Sequence, residues 1–347
     1  MSHEMIVLVM FLGMMVLMAT GQRVFGMIGF VAVATSLLLW GDGAAAMGFN
    51  ASIKLLNWYP LLTLPMFVFM GYMLSESGIA NDLYNMLYVW TGRWRGGLAI
   101  GTILLMVLIS AMNGLSVAGM AIGCSIAMPE MLKRKYDKRM VSGVIQAGSS
   151  LGILVPPSVV LVLYGMIARQ PVGQLWLAGV FPGLLMAALF LAYVVVRCRL
   201  QPELAPVASE DELQVPLRAK LRLLTAGLIP LAIMFIVIGL FLGGVTSLVE
   251  SSAVGAVAAL LVAWGRRRLT KKVLHDTVRQ TLNISAMFMW IIMAALAFGA
   301  VFDGLGAVKA IEKLFLNDWG LNPWVVIILM QVSFVVMGMF LDDTAML

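Results

Sequence analysis

The chain has 347 residues, of which 62% are hydrophobic and only 12% charged, about half the charge of an ordinary soluble domain. Its mean hydropathy is +0.99 and its formal net charge +6. These values exclude a soluble globular protein, a disordered chain and a fibre, and apolar runs of helical length predict a polytopic all-α membrane protein. The basic residues lie in short loops between apolar runs, which is the positive-inside pattern and sets orientation. With two cysteines and two histidines in the whole chain, a disulfide framework or a histidine-based metal or acid–base centre is not expected. The first residues carry no basic region or small-residue cleavage site, so the first apolar run reads as a retained span.

In chain order, Met5–Thr20 and Val24–Trp40 read as short spans. Trp58–Leu74 reads as a third span with an aromatic anchor at its start. Ser75–Trp90 mixes Glu76, Asn81 and Asp82 with Leu and Tyr, and reads as an amphipathic helix near the membrane surface. Gly97–Leu132 is apolar but interrupted at Asn113-Gly114-Leu115-Ser116. Each half is roughly 24 Å of helix, short of the roughly 30 Å hydrocarbon core. Basic residues flank both ends, which predicts a re-entrant hairpin whose tip stops at mid-membrane. Met140–Ala168 is long enough to span but contains Gly148-Ser149-Ser150-Leu151-Gly152 and then Pro156-Pro157-Ser158. Adjacent prolines remove two donors and clash with the preceding turn, so this span is expected to unwind, exposing carbonyls and half-helix ends that can hold an ion or an anion.

Gln174–Val196 returns to Arg197 and Arg199, and a proline- and acid-rich linker covers 201–220. Leu221–Leu242, Leu248–Trp264 and Asn283–Phe302 read as three further spans, Asp303–Asp318 as a second amphipathic helix, and Trp324–Leu341 as the start of a second hairpin. The third spans begin at Trp58 and Asn283, 225 residues apart, and the surface helices follow Gly78 and Gly304, 226 apart. With opposite starting sides by the charge rule, this predicts an inverted repeat: 1–200, the 201–220 linker, and 221–347, incomplete at its hairpin. A second broken span is expected near residue 365, so a longer chain is expected.

Asn113, Gly114 and Ser116 at the first tip, with Gly148, Ser149, Ser150, Gly152, Pro156, Pro157 and Ser158 at the break, form the candidate ion and substrate site. Oxygen-bearing side chains and free carbonyls suit a hard cation. Gly338, Asp342 and Thr344 are the second-hairpin counterparts, Asp342 because an intramembrane carboxylate is a functional candidate by default. Within that set, Asn113, Ser116, Ser149, Gly338 and Asp342 are the candidate ion ligands. Glu250 reads as a helix cap or a transport residue alike, and Arg23 as an orientation marker. No nucleotide-binding glycine loop is present, so ATP drive has no support. No nucleophile–base pair lies at depth, so an enzyme is not expected.

The stretch Gly143–Gly165 resembles the signature of the large, DctM-type membrane subunit of tripartite ATP-independent periplasmic (TRAP) transporters. Leu64-Pro65-Met66-Phe67, Ser77-Gly78-Ile79-Ala80, Pro129-Glu130-Met131, Ala178–Gly183, Glu250–Gly255 and Gly338–Asp342 resemble the family in the same order. The tip Asn113–Ser116 departs from the family's usual Ser-Gly-Ser pattern. Thr246–Glu250 lacks its usual proline, and no second Pro-Pro break is present. The resemblance implies an elevator-type importer of an organic acid, with Na⁺ as coupling ion and no other cofactor, in the bacterial inner membrane. It also implies a small four-helix membrane subunit and a periplasmic substrate-binding protein as partners. A membrane scaffold or receptor that keeps the fold without transporting is the alternative.

Overall fold

The computed structural model describes residues 3–41, 43–92, 94–114, 116–168, 170–206 and 217–339. Every regular element among them is helical. Four helices are long and apolar enough to cross a membrane: Val172–Leu200, Leu223–Leu242, Leu248–Gly265 and Lys271–Gly304. Shorter apolar helices accompany them, so the chain is a multi-pass helical membrane protein. It divides into two compact units, residues 1–59 with 286–347, and residues 60–285.

The first unit holds α1 (His3–Ala19), α2 (Val24–Leu39), α3 (Ala44–Leu56), the end of α13 (Lys271–Gly304), α14 (Ala307–Lys313) and α15 (Pro323–Gly338). Its core joins Met10 and Met14 of α1, Met27 and Val31 of α2, and Ala294 and Val301 of α13. His3 is used structurally: its Nδ1 lies 2.8 Å from the Leu305 carbonyl oxygen. Helix α3 is absent from the sequence reading because Gly43–Asn57 mixes Asn50 and Lys54 with small residues and shows no apolar run of span length. The second amphipathic helix starts later than expected and ends at Asp318 as expected, its last turn, Leu314–Asp318, being π-helical. Helix α13 continues to Gly304, and α14 starts only after Gly306, whose φ of 79° suits a residue without Cβ. At 34 residues α13 is roughly 51 Å long. Its polar first turns, with Lys271, Lys272, His275, Asp276 and Arg279, account for the length beyond the hydrocarbon core.

The second unit carries α4 (Thr63–Glu76), α5 (Ile79–Thr91), α6 (Gly97–Asn113), α7 (Ser116–Lys133), α8 (Lys138–Ser150), α9 (Val159–Ala168), α10 (Val172–Leu200), α11 (Leu217–Leu242) and α12 (Leu248–Gly265). In a bilayer, helices gain little from burying apolar surface and associate where small residues let them approach closely. Here glycine notches take methionine side chains. A Cβ on Gly255 of α12 would lie 2.7 Å from Met70 Sδ of α4, and one on Gly227 of α11 would lie 2.6 Å from Met86 Sδ of α5. In both places a flexible thioether fills the gap that the glycine leaves.

Helix α5 follows the amphipathic expectation, but protein covers its apolar face. Ile79, Leu83, Tyr84 and Met86 are buried where α5 packs on α6 and α11. Its polar face is tied down as well. Asp82 accepts from Arg266 Nη1 at 2.7 Å and from Arg268 Nη1 at 2.8 Å, and Arg268 also donates to the Gly78 carbonyl. The basic segment that follows α12 therefore clamps the arm helix besides marking an orientation.

Candidate ion and substrate site

The interrupted stretch Gly97–Leu132 folds as the antiparallel hairpin α6–α7. Thr102 Oγ1 reaches Met131 Sδ at 3.5 Å. Nearer the tip, Cβ positions on Gly123 and Gly119 would collide with Met106 and Ser110 respectively. The turn rests on Gly114, which has a φ of 66° and whose N–H donates to the Ser110 carbonyl at 2.8 Å, a left-handed helix cap. At the other end, Arg134 lies over the Tyr88 ring at 4.3 Å from its centroid and 3.6 Å from Glu130. Burial pushes the neighbouring Tyr136 hydroxyl up to about 12.

The second interrupted stretch breaks where the prolines predict. Helix α8 starts on Asp137, whose carboxylate accepts from the N–H groups of Arg139 and Met140 at 2.9 and 3.0 Å. It tightens to a 3₁₀ turn at Leu151–Ile153 and loses helical form at Leu154–Ser158 before α9 begins. The Pro156–Pro157 bond is cis and both rings are buried. Ser158 restarts the chain: its Oγ donates to the Ile153 carbonyl at 2.6 Å and accepts from the Leu161 N–H at 3.2 Å.

The two broken elements meet. The Gly114 carbonyl accepts from the Val159 N–H at 3.0 Å. A Cβ on Gly114 would stand 2.7 Å from the Pro157 carbonyl oxygen and 2.9 Å from Val159 N, so only glycine fits. Gly152 faces Ser110, where a Cβ would come within 3.0 Å of the Ser110 carbonyl oxygen, and Gly148 faces Met106. Of the residues singled out from the sequence, Gly114, Gly148, Gly152, Pro157 and Ser158 thus lie in or against one junction.

Pro156 lies within the same break. Ser149 is buried and Ser150 half-buried, their hydroxyls donating to the carbonyls of Gln146 and Ala147 at 2.9 and 2.8 Å. Those bonds leave hydroxyl lone pairs available to a cation. Asn113 ends α6 and Ser116, half-buried, begins α7. Gly338 is the last residue of α15, in the other unit. Asp342 and Thr344 lie outside the described residues. Arg23 is exposed at the start of α2. Glu250 completes a capping box: its carboxylate accepts from the Ser247 N–H at 2.7 Å, and Ser247 Oγ accepts from the Glu250 N–H at 3.3 Å.

Two residues that sequence reading did not single out belong to the junction. Ser110 is fully buried, and its Oγ has no hydrogen-bond partner among the described residues. A buried hydroxyl in that state loses its solvation without compensation, so an oxygen donor stands ready at the tip. Its only sequence signal is its place three residues before Asn113. Trp176 of α10 is fully buried and donates from Nε1 to the Ser158 carbonyl at 3.2 Å. Phe67 and Phe241 pack on its ring with centroids at 6.2 and 4.9 Å. Helix α10 comes close enough for this because Gly179 and Gly183 abut Leu154 and Val155. The junction is therefore held by glycine contacts and one indole and offers neutral oxygen donors. Among the described residues no three His, Cys, Asp or Glu side chains gather to hold a metal.

Residues 11–347 match the family described as "Tripartite ATP-independent periplasmic transporter, DctM component". The C4-dicarboxylate TRAP transporter large permease protein DctM of Pseudomonas aeruginosa is 30% identical over 296 residues, covering 83% of this chain and 66% of that protein. The sialic acid TRAP transporter large permease protein SiaM of Vibrio cholerae is 28% identical over 342 residues, covering 96% of this chain and 77% of its own length. The ectoine TRAP transporter large permease protein TeaC of Halomonas elongata is 29% identical over 287 residues, 81% of this chain and 65% of that protein. The chain spans about two thirds of the length of the DctM and TeaC relatives.

Proposed function

The chain belongs to the DctM component family of the tripartite ATP-independent periplasmic transporters, a family of permease subunits and not of enzymes, and from that premise we propose that it imports an organic acid across the bacterial inner membrane by Na⁺ symport. The observation that carries the reading is the junction of the hairpin tip with the broken span. Unwound backbone and hydroxyl oxygens at a paired discontinuity are what secondary transporters use to hold a coupling ion. Ser110, Ser116, Ser149 and the carbonyls of the tip and break supply hard oxygen donors, together with Asn113 at the end of α6. Gly338, Asp342 and Thr344 supply the counterpart in the second hairpin. The substrate is a carboxylate, in keeping with the C4-dicarboxylate and sialic acid named for the relatives.

Repeats 1–200 and 221–347, joined by the 201–220 linker, are inverted copies in this reading. The step from α4 to α5 at Gly78 and that from α13 to α14 at Gly306 support it, since both shorter helices start on a left-handed glycine. Each hairpin is re-entrant, and the hairpins with the broken spans move as an elevator domain. A small four-helix membrane subunit and a periplasmic binding protein complete the transporter, and the binding protein selects the acid.

The test is uptake by proteoliposomes that hold the full-length permease, its small subunit and its binding protein, across a panel of carboxylates. Uptake driven by an inward Na⁺ gradient and not by an equal K⁺ gradient is expected. Ser149→Ala and Ser110→Ala raise the Na⁺ concentration for half-maximal uptake. Uptake that is equal under both gradients, from an assembled complex, refutes the Na⁺ assignment.

A further inference from the structure

A cavity of about 650 Å³ lies between α6, α8 and α10. Its volume is that of a small-molecule site, roughly 300–1,000 Å³. The inner wall is apolar and buried, formed by Ile103, Val144 and Val194. The outer wall is Leu189 and Tyr193 of α10, 59% and 61% exposed on a helix apolar enough to span the membrane. One end is charged. Arg139, at the start of α8, and Arg197, in the last turn of α10, both line the space and are exposed. Asp137 also lines it, but its carboxylate is engaged by the first N–H groups of α8. The Asp137 N–H donates to the Leu204 carbonyl at 3.1 Å, which holds the segment after α10 against this end. The space is open at its centre: a Cβ on Gly143, in the middle of α8, meets no atom within 4 Å.

An apolar slot open toward the hydrocarbon, with two guanidinium groups at its basic end, has the charge and polarity profile of one kind of ligand. We propose that it binds an anionic phospholipid of the leaflet on that side, one acyl chain in the slot and the phosphate between Arg139 and Arg197. Basic pockets between spans on the cytoplasmic side take such headgroups, and arginine pairs with phosphate oxygens through paired N–H donors. The assignment rests on the membrane family and not on the coupling ion, so it stands or falls apart from Na⁺ symport. Such a lipid would join the hairpin arm, the first half of the broken span and the return helix.

Native mass spectrometry of the delipidated full-length protein tests this, with palmitoyl-oleoyl phosphatidylglycerol titrated against phosphatidylcholine of the same chains. Two arginines near the headgroup predict a preference of roughly thirtyfold for phosphatidylglycerol. The Arg139→Gln/Arg197→Gln double variant loses the preference, and Gly143→Leu, which places a side chain in the open centre of the slot, loses tight binding of both lipids. An unchanged melting temperature without lipid shows that each variant is folded. Equal binding of the two lipids by the unsubstituted protein overturns the proposal, as does a preference that survives in both variants. In native mass spectra of the complex with its small membrane subunit, loss of that subunit from the Gly143→Leu protein with lipid binding intact overturns it too, by giving the slot to a protein helix.

Discussion

Substitution of Gly114 by alanine probes the junction at its tightest point. Three effects act together on one methyl group. A non-glycine residue in the left-handed region costs about 1–2 kcal/mol. The new Cβ stands 2.7 Å from the Pro157 oxygen and 2.9 Å from Val159 N, and both neighbours are backbone that cannot rotate aside. The shift that relieves the clash stretches the 3.0 Å bond from the Val159 N–H to the Gly114 carbonyl, and a buried donor left alone costs about 1–3 kcal/mol. The expected destabilisation is roughly 2–5 kcal/mol. Gly143→Ala is the matched control: it adds the same methyl to α8 in open space and gains about 1 kcal/mol of helix propensity. Thermal unfolding in detergent, read with hydrogen exchange at Val159, gives the result. A Gly114→Ala protein that melts with the unsubstituted one and keeps Val159 protected refutes the interlock.

Trp176→Phe keeps an aromatic plug but deletes the bond to the Ser158 carbonyl, and is expected to cost about 1 kcal/mol; Trp176→Ala leaves a cavity and costs about 3–5 kcal/mol, both read as shifts in melting. Asp82→Asn removes the charge that faces Arg266 and Arg268, and destabilises by roughly 1–2 kcal/mol at low salt, with a loss that shrinks as salt is added. Glu250→Gln keeps the capping box and is expected to keep transport as well; uptake abolished by Glu250→Gln with unchanged melting would make Glu250 a transport residue instead.

The hairpin and the broken span were legible because each carries backbone chemistry in its letters. Asn-Gly at the tip and Pro-Pro in a span interrupt a helix whatever surrounds them, and the structure breaks at both places. Glu250 reads two ways in the sequence, as a cap or a transport residue, and the structure shows its capping bonds with Ser247. Ser110 and Trp176 were not legible, since a serine or a tryptophan in an apolar helix has an ordinary local role. Their meaning comes from Gly119 and Gly152 beside the one and Ser158 beside the other, which are tertiary facts. Helix α3 and the length of α13 were missed for a related reason. Hydropathy marks where a helix meets lipid, and neither Gly43–Asn57 nor the first turns of α13 has an apolar run to show.

Met106 has a mechanical consequence. It fills the notch at Gly123 on α7 and the notch at Gly148 on α8 with one side chain. A close-packed interior cannot open a gap on one side without strain on the other. A displacement of α7 is therefore felt by α8 through the same thioether, and the two interrupted elements behave as parts of one stiff block. Widening either notch, for instance by Met106→Ala, would unlock them from each other while leaving every hydrogen bond at the tip in place.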